Sequence, residues 1–288
     1  MMKLLLLLIL STQTLANFST KLLNIEKITD NNERNSALEY FYYSELQPFL
    51  TKNKARSYSK EQLSDVLKAF STITFYVQNK EISTDYLSIF EIYSRNKWSE
   101  KKDYYKVYGA LNGARMFAKA QEFYDKYSQY DLPKPLKLLN NTTKGAINVY
   151  SPSNKDEYSL KSEEFNFSKE TEIIVISNPI CHFSNMAVSS IGQHFGLNDF
   201  LQTHSRWLVP PSTRWDFEKI NIRNTQHPNF KIKYIDKEKD FLIFDYWGTP
   251  TFYFLENGKV LDKLVGWPKE GRIKELKALI NKYFHKNI

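Results

Sequence analysis

Cysteine is nearly absent: the 288-residue chain carries one, Cys181. A lone cysteine excludes an intramolecular disulfide framework and a cysteine-rich zinc module together. Long apolar runs are missing too, apart from Leu4–Leu10. That stretch falls well short of the roughly 20 apolar residues a membrane-spanning helix needs, so no span is expected. No glycine-rich phosphate loop occurs, nor the nucleophile elbow of a serine hydrolase. His194, His204, His227 and His285 show no ligand spacing with acids or with the cysteine. Neither a metal nor any other cofactor is therefore expected.

What is present argues for a folded chain. The hydrophobic fraction is 42%, with 20 Phe, 19 Tyr and 5 Trp. That much apolar surface offsets chain entropy and excludes a largely disordered protein. The length suits two domains. The net charge of +8 comes from Lys and Arg scattered among acids, with only modest clusters such as Lys52–Lys60. Nucleic acid recognition needs a concentrated basic face, so nucleic acid is not an expected partner.

The beginning of the chain reads as an export signal. Lys3 supplies a positive start, Leu4–Leu10 the apolar stretch, and Leu15-Ala16 a small-residue end before Asn17. This is the layout of a secretory signal peptide over residues 1–16, implying passage across the inner membrane to the periplasm. In an oxidising compartment an odd cysteine is either a reactive thiol or an intermolecular partner.

Two halves differ in periodicity. From about Ser36 to Tyr130 the apolar positions recur at helical spacing, which predicts an all-α domain of helical hairpins over 17–135. Ser36 with Glu39 and Ser59 with Gln62 both fit capping boxes, each followed by an apolar stripe. Met116, Phe117, Ala120, Phe123, Tyr124 and Tyr127 mark a last long helix. The aromatic stripes read as core rather than binding surface. Asp131-Leu-Pro-Lys-Pro135 reads as a linker. Beyond it, over 145–288, strand patterns alternate with helical ones and predict an α/β domain. Ala146 to Tyr150 alternates as a short strand, and Glu172-Ile-Ile-Val-Ile-Ser177 is a β-branched run suited to burial on both faces. His204–Val209 and Phe230–Ile235 are further candidate strands, and Trp215–Asn224 a candidate helix. Asn257-Gly258 between two strand-like runs predicts a β-hairpin, and Ile273, Leu276, Leu279, Ile280 and Tyr283 give an amphipathic C-terminal helix.

The chemistry converges on the end of that β-branched run. It leads through Asn178-Pro179-Ile180 into Cys181-His182-Phe183-Ser184, where a helix is predicted to begin. A thiol at a helix N-terminus meets free N–H groups and the positive end of the dipole, which favour the thiolate. Ser184 lies one turn on and is placed to donate to the sulfur. His182 is the next residue in sequence and a side chain able to carry positive charge, although adjacent helical residues do not face each other.

These residues resemble the thioredoxin family. The family carries Cys-x-x-Cys after a central buried strand, where this chain reads Cys181-His182-Phe183-Ser184. Trp247-Gly-Thr-Pro-Thr-Phe-Tyr-Phe254, then Asn257-Gly258 and Val265-Gly266-Trp267, match the order of the family's cis-proline loop, final hairpin and helix. The resemblance spans roughly the last 140 residues. It implies a thioredoxin-like C-terminal domain, with Pro250 as the cis-proline and Thr249 as the residue whose backbone pairs with a bound peptide. Threonine before the cis-proline is similar to the family's periplasmic isomerases. The departures are specific: Ser184 replaces the resolving cysteine, Val175 the buried acid, and Ile180 the tryptophan that often precedes the motif. A dithiol cycle needs a second thiol to release the mixed disulfide, so an unaided cycle is excluded. Two readings remain. One is a monothiol exchange enzyme, with Cys181 as nucleophile and disulfide-bearing proteins or small thiols as partners. The other is a thioredoxin-fold module that binds peptides or proteins without turnover, with the helical half as its partner platform.

Overall fold

The structure, a computed structural model, describes residues 18–52, 58–153, 158–211 and 215–286. The expected signal segment, and most of the Lys52–Lys60 cluster, lie outside the described residues. The chain divides into two compact units: Met1–Ala114 with Tyr127–Leu132, and Arg115–Lys126 with Pro133–Ile288.

The first unit is helical: α1 (Phe18–Glu26), α2 (Asn31–Phe41), a π turn at Tyr42–Leu46 running into α3 (Gln47–Lys52), α4 (Lys60–Tyr76), α5 (Lys80–Arg95) and α6 (Lys101–Gly113). The capping box that the sequence places at Ser59 is present. Gln62 N–H donates to Ser59 Oγ at 3.3 Å, and Ser59 N–H to Gln62 Oε1 at 2.7 Å. Ser59→Ala removes one side of this box and should cost about 1 kcal/mol in urea unfolding of the protein. The box placed at Ser36 is not a cap. The helix begins earlier, at Asp30, whose carboxylate accepts the Glu33 N–H at 2.8 Å. An acid there meets the dipole as well as the free N–H, and Ser36 falls inside the helix. The aromatic stripes are core: Phe70 stacks on Tyr86 at 5.4 Å, and Phe90 meets Tyr104 edge-on at 4.9 Å.

The second unit opens with α7 (Phe117–Lys126), the helix that a cut at residue 135 would give to the helical half. Phe117 meets the rings of Tyr150 and Trp215 edge-on at 5.9 and 5.4 Å. Periodicity shows that 116–127 has an apolar face, but not which surface that face covers. Next come β1 (Lys137–Leu138), β2 (Asn148–Pro152), β3 (Ser159–Glu164), β4 (Glu172–Ile176), α8 (His182–Gly192), α9 (Phe195–His204), β5 (Ser205–Val209), α10 (Phe217–Gln226), β6 (Ile232–Ile235), β7 (Thr251–Glu256), β8 (Lys259–Val265) and α11 (Ile273–Phe284).

The strands form one sheet in the order β1-β3-β2-β6-β5-β4-β7-β8. β4, β5 and β6 are parallel, whereas β7 runs antiparallel to β4 and to β8. β4 is buried throughout, as its β-branched run predicts. Ile173 and Val175 enter one core with residues of α8, α9, α10 and α11. Ile174 and Ile176 enter the other, whose members among the described residues come from the strands and their ends and from Phe241, Phe244 and Trp247 of segment 236–250 rather than from a long helix. The hairpin turn carries Asn257 at φ 51° and Gly258 at φ 71°, the paired positive values that favour Asn-Gly between strands. The C-terminal half is thus an α/β unit in which a central parallel strand feeds the Cys181 helix and an antiparallel hairpin and helix complete the fold.

Candidate functional site

Cys181 caps the N-terminus of α8 at φ −81° and ψ 118°, with its carbonyl accepting the Asn185 N–H at 3.1 Å. The turn leading out of β4 is tied by asparagines. Cys181 N–H donates to the Asn178 carbonyl at 3.0 Å, Ile180 N–H to Asn178 Oδ1 at 3.1 Å, and Asn185 Nδ2 to the Pro179 carbonyl at 3.0 Å. A cysteine at this position has no oxygen to offer the first N–H groups of the helix, so they remain available to its sulfur.

Across from it lies the Thr249–Pro250 peptide bond, which is cis. The protonated thiol donates to the Thr249 carbonyl at 3.2 Å. Burial alone raises the thiol pKa, but the Thr249 side chain, then the Ser184 N–H and hydroxyl, then the Phe183 N–H outweigh it. Together they hold the thiol below its ordinary pKa. The two Thr249 contacts act in opposite senses: the carbonyl favours the thiol, whereas the side chain, as a donor, favours the thiolate. The donors from Ser184 and Phe183 add to the second, so the balance favours ionisation.

Of the residues singled out by the sequence, Cys181, Ser184 and Thr249 come together at the sulfur. Ser184 is fully buried, and its Oγ also accepts the Asn178 N–H at 3.4 Å. Pro250 comes directly after Thr249, its carbonyl accepting the Gly266 N–H at 2.8 Å. His182 is exposed, with its ring edge-on to Phe183 at 5.8 Å. Ile180 and Phe183, the apolar neighbours of the thiol in sequence, are 43% and 50% exposed. Sequence reading gave no role to Asp245, Tyr246 and Tyr253; the Tyr253 hydroxyl bonds to the other two, which lie just ahead of Thr249 in the chain. Asp245 and Tyr246 lie in a segment with no helical or strand period to mark them, and the strand pattern around Tyr253 says nothing of where its hydroxyl goes. Among the described residues no three His, Cys, Asp or Glu side chains gather as metal ligands, and no helix is long and apolar enough to cross a membrane.

A thiol with a lowered pKa makes stability depend on pH. Below the folded pKa the thiol is protonated in both states and contributes nothing. Between that value and the unfolded value of about 8.5 the unfolded chain binds more protons, so stability rises with pH; above both it is constant. Urea midpoints of the wild type relative to Cys181→Ala should therefore climb as pH rises through the lowered folded value toward about 8.5 and level off above it. A flat difference would mean that the thiol is not shifted.

No protein-family model matches this sequence, and neither does any curated protein. Among solved structures the chain is similar to a candidate thioredoxin from Neisseria meningitidis, at 17% identity and a TM-score of 0.33, covering 49% of this chain and 90% of that one. It is also similar to a thioredoxin-like protein from Bacteroides caccae, at 13% identity and a TM-score of 0.29, covering 82% of this chain and 90% of that one. Likenesses this distant say nothing about the chemistry at Cys181.

Proposed function

We propose that the protein is an exported, thioredoxin-like, monothiol exchanger whose nucleophile is Cys181. The observation that carries this reading is the sulfur's position: at the start of α8, with Ser184 and Thr249 donors favouring the thiolate. The thiolate is the nucleophile in disulfide exchange. Cys181 attacks one sulfur of a substrate disulfide, forming a mixed disulfide and releasing the other substrate sulfur as a thiolate. A thiol from outside the chain, giving up its proton to solvent, then attacks the substrate sulfur; a substrate–external disulfide forms as the Cys181–substrate bond breaks, and the Cys181 thiolate is regenerated. Electrons balance between substrate and external thiol, and Cys181 returns unchanged. Thr249 and Pro250 line the substrate side of the sulfur in this reading, and Ser184 stabilises the thiolate from beneath. His182, being exposed, is left a role only at the rim. The periplasm is the proposed setting, resting on the sequence of residues 1–16.

Retained binding without turnover is the second reading. Its support is the fully buried Ser184 at the position a resolving thiol would occupy, with exposed Ile180 and Phe183 beside the sulfur. Incubation with oxidised glutathione separates the two. The exchange reading expects one glutathione per chain by intact mass, removed on adding reduced glutathione. No adduct at neutral pH would leave binding as the surviving reading.

A further inference from the structure

Segment 236–250 contains a single 3₁₀ turn, Glu238–Phe241, yet its far end presents Thr249 to the sulfur. Something outside regular secondary structure must hold that end in register. Tyr253, on β7 and fully buried, directs its hydroxyl back toward the segment. The hydroxyl accepts the Tyr246 N–H at 2.9 Å and lies 2.8 Å from the Tyr246 carbonyl and 2.9 Å from Asp245 Oδ1. Its one hydrogen goes to one of those two acceptors. Burial, and then the Asp245 carboxylate, raise the phenol pKa, so the hydroxyl stays protonated. Asp245 Oδ2 is in turn 2.5 Å from Lys263 Nζ on β8.

The next residues are pinned as well. The Tyr246 ring lies across Gly248, so that a Cβ there would come within 2.2 Å of it. The Gly248 carbonyl accepts the Thr251 hydroxyl at 2.7 Å, and the Pro250 carbonyl accepts the Gly266 N–H at 2.8 Å. Thr249 is suspended between these points. Thr251 and Gly266 fix only the stretch after Thr249 and the Gly248 carbonyl; the approach is held by the burial of Trp247 against Phe244 and, at the polar backbone of 245–246, by the Tyr253 hydroxyl.

We propose that Tyr253 is a positioning residue for the thiol, its hydroxyl clasping Asp245 and Tyr246 so that Thr249 stays against the Cys181 sulfur. This rests on the exchange reading, since the clasp matters only if the sulfur reacts. Tyr253→Phe keeps the ring against Phe244, 4.6 Å away, and deletes only the hydroxyl. The readout is the rate of Cys181 alkylation by iodoacetamide against pH. Below the thiol midpoint the rate follows the thiolate fraction, which falls tenfold for each unit the midpoint rises. The variant should alkylate about 3- to 10-fold more slowly at about pH 6, and its midpoint should move up. Lowered stability alone would not shift that midpoint. A variant profile that overlies the wild type overturns the proposal. Should Tyr253→Phe fail to fold, Asp245→Ala at a more exposed position carries the test, with about a 2-fold slowing expected and an unchanged profile overturning it. A wild-type midpoint at the ordinary cysteine value defeats the exchange reading itself. A low wild-type midpoint that Tyr253→Phe leaves in place defeats the clasp alone.

Discussion

Cys181→Ala should abolish every mixed disulfide the protein forms while leaving it folded. The chain has no other sulfur able to make one, because Cys181 is its only cysteine. The structural cost is small. The thiol is half-buried and gives a single weak S–H bond to the Thr249 carbonyl, while the backbone bonds that build the turn come from the residue's N–H and carbonyl. Substitutions of this kind usually stay within about 0.5–1 kcal/mol. Intact mass after treatment with oxidised glutathione would show full loss of the adduct, and urea unfolding at acidic pH, where the thiol is protonated in both states, would show a midpoint close to that of the wild type. A large stability loss at that acidic pH would instead point to a thiol kept for packing.

Ser184→Cys should convert the monothiol into a dithiol. Ser184 Oγ is within donor reach of the Cys181 sulfur and shares the first turn of α8 with it. A sulfur at that position takes the place of an oxygen already in hydrogen-bond reach of Cys181, so oxidation should close an intramolecular disulfide. Titration under denaturing conditions would find two thiols after reduction and none after oxidation, against one in the wild type. Mixed disulfides with glutathione should become transient, since the new thiol displaces the partner from within the chain. The substitution also costs stability, because Ser184 is fully buried and accepts the Asn178 N–H. Persistence of two free thiols under oxidation would mean that residues 181 and 184 are not arranged as described.

Much of the site was legible in the sequence because local chemistry specified it. The β-branched run 172–177 identifies a strand with two buried faces, and the short turn after that strand delivers Cys181 to a helix start. Asn257-Gly258 specifies its turn through backbone angles that few other pairs adopt. Ser59 with Gln62 names its own helix start. Other features depend on partners distant in the chain. The helix at 117–126 displays an apolar face in either unit, and only Tyr150 and Trp215 reveal which it joins. Ser36 has the spacing of a cap, but Asp30 offers a charged one earlier, and the helix takes it. The aromatic segment 236–250 covers a sheet face without any regular period, so neither its core role nor the Tyr253 clasp shows in the sequence. β3 (Ser159–Glu164) is a polar strand whose buried Ser159 and Ser162 are not the residue types that mark a core.

The pKa of the wild-type Cys181 thiol tests the exchange mechanism most directly. With one cysteine in the chain, alkylation reports on that thiol alone and needs no mutagenesis. The rate profile should have its midpoint clearly below the free-cysteine value of about 8.5, set by the helix N–H groups and the Ser184 and Thr249 donors. A midpoint at or above that value would contradict the mechanism, showing that burial outweighs those donors and that the sulfur is not poised for exchange.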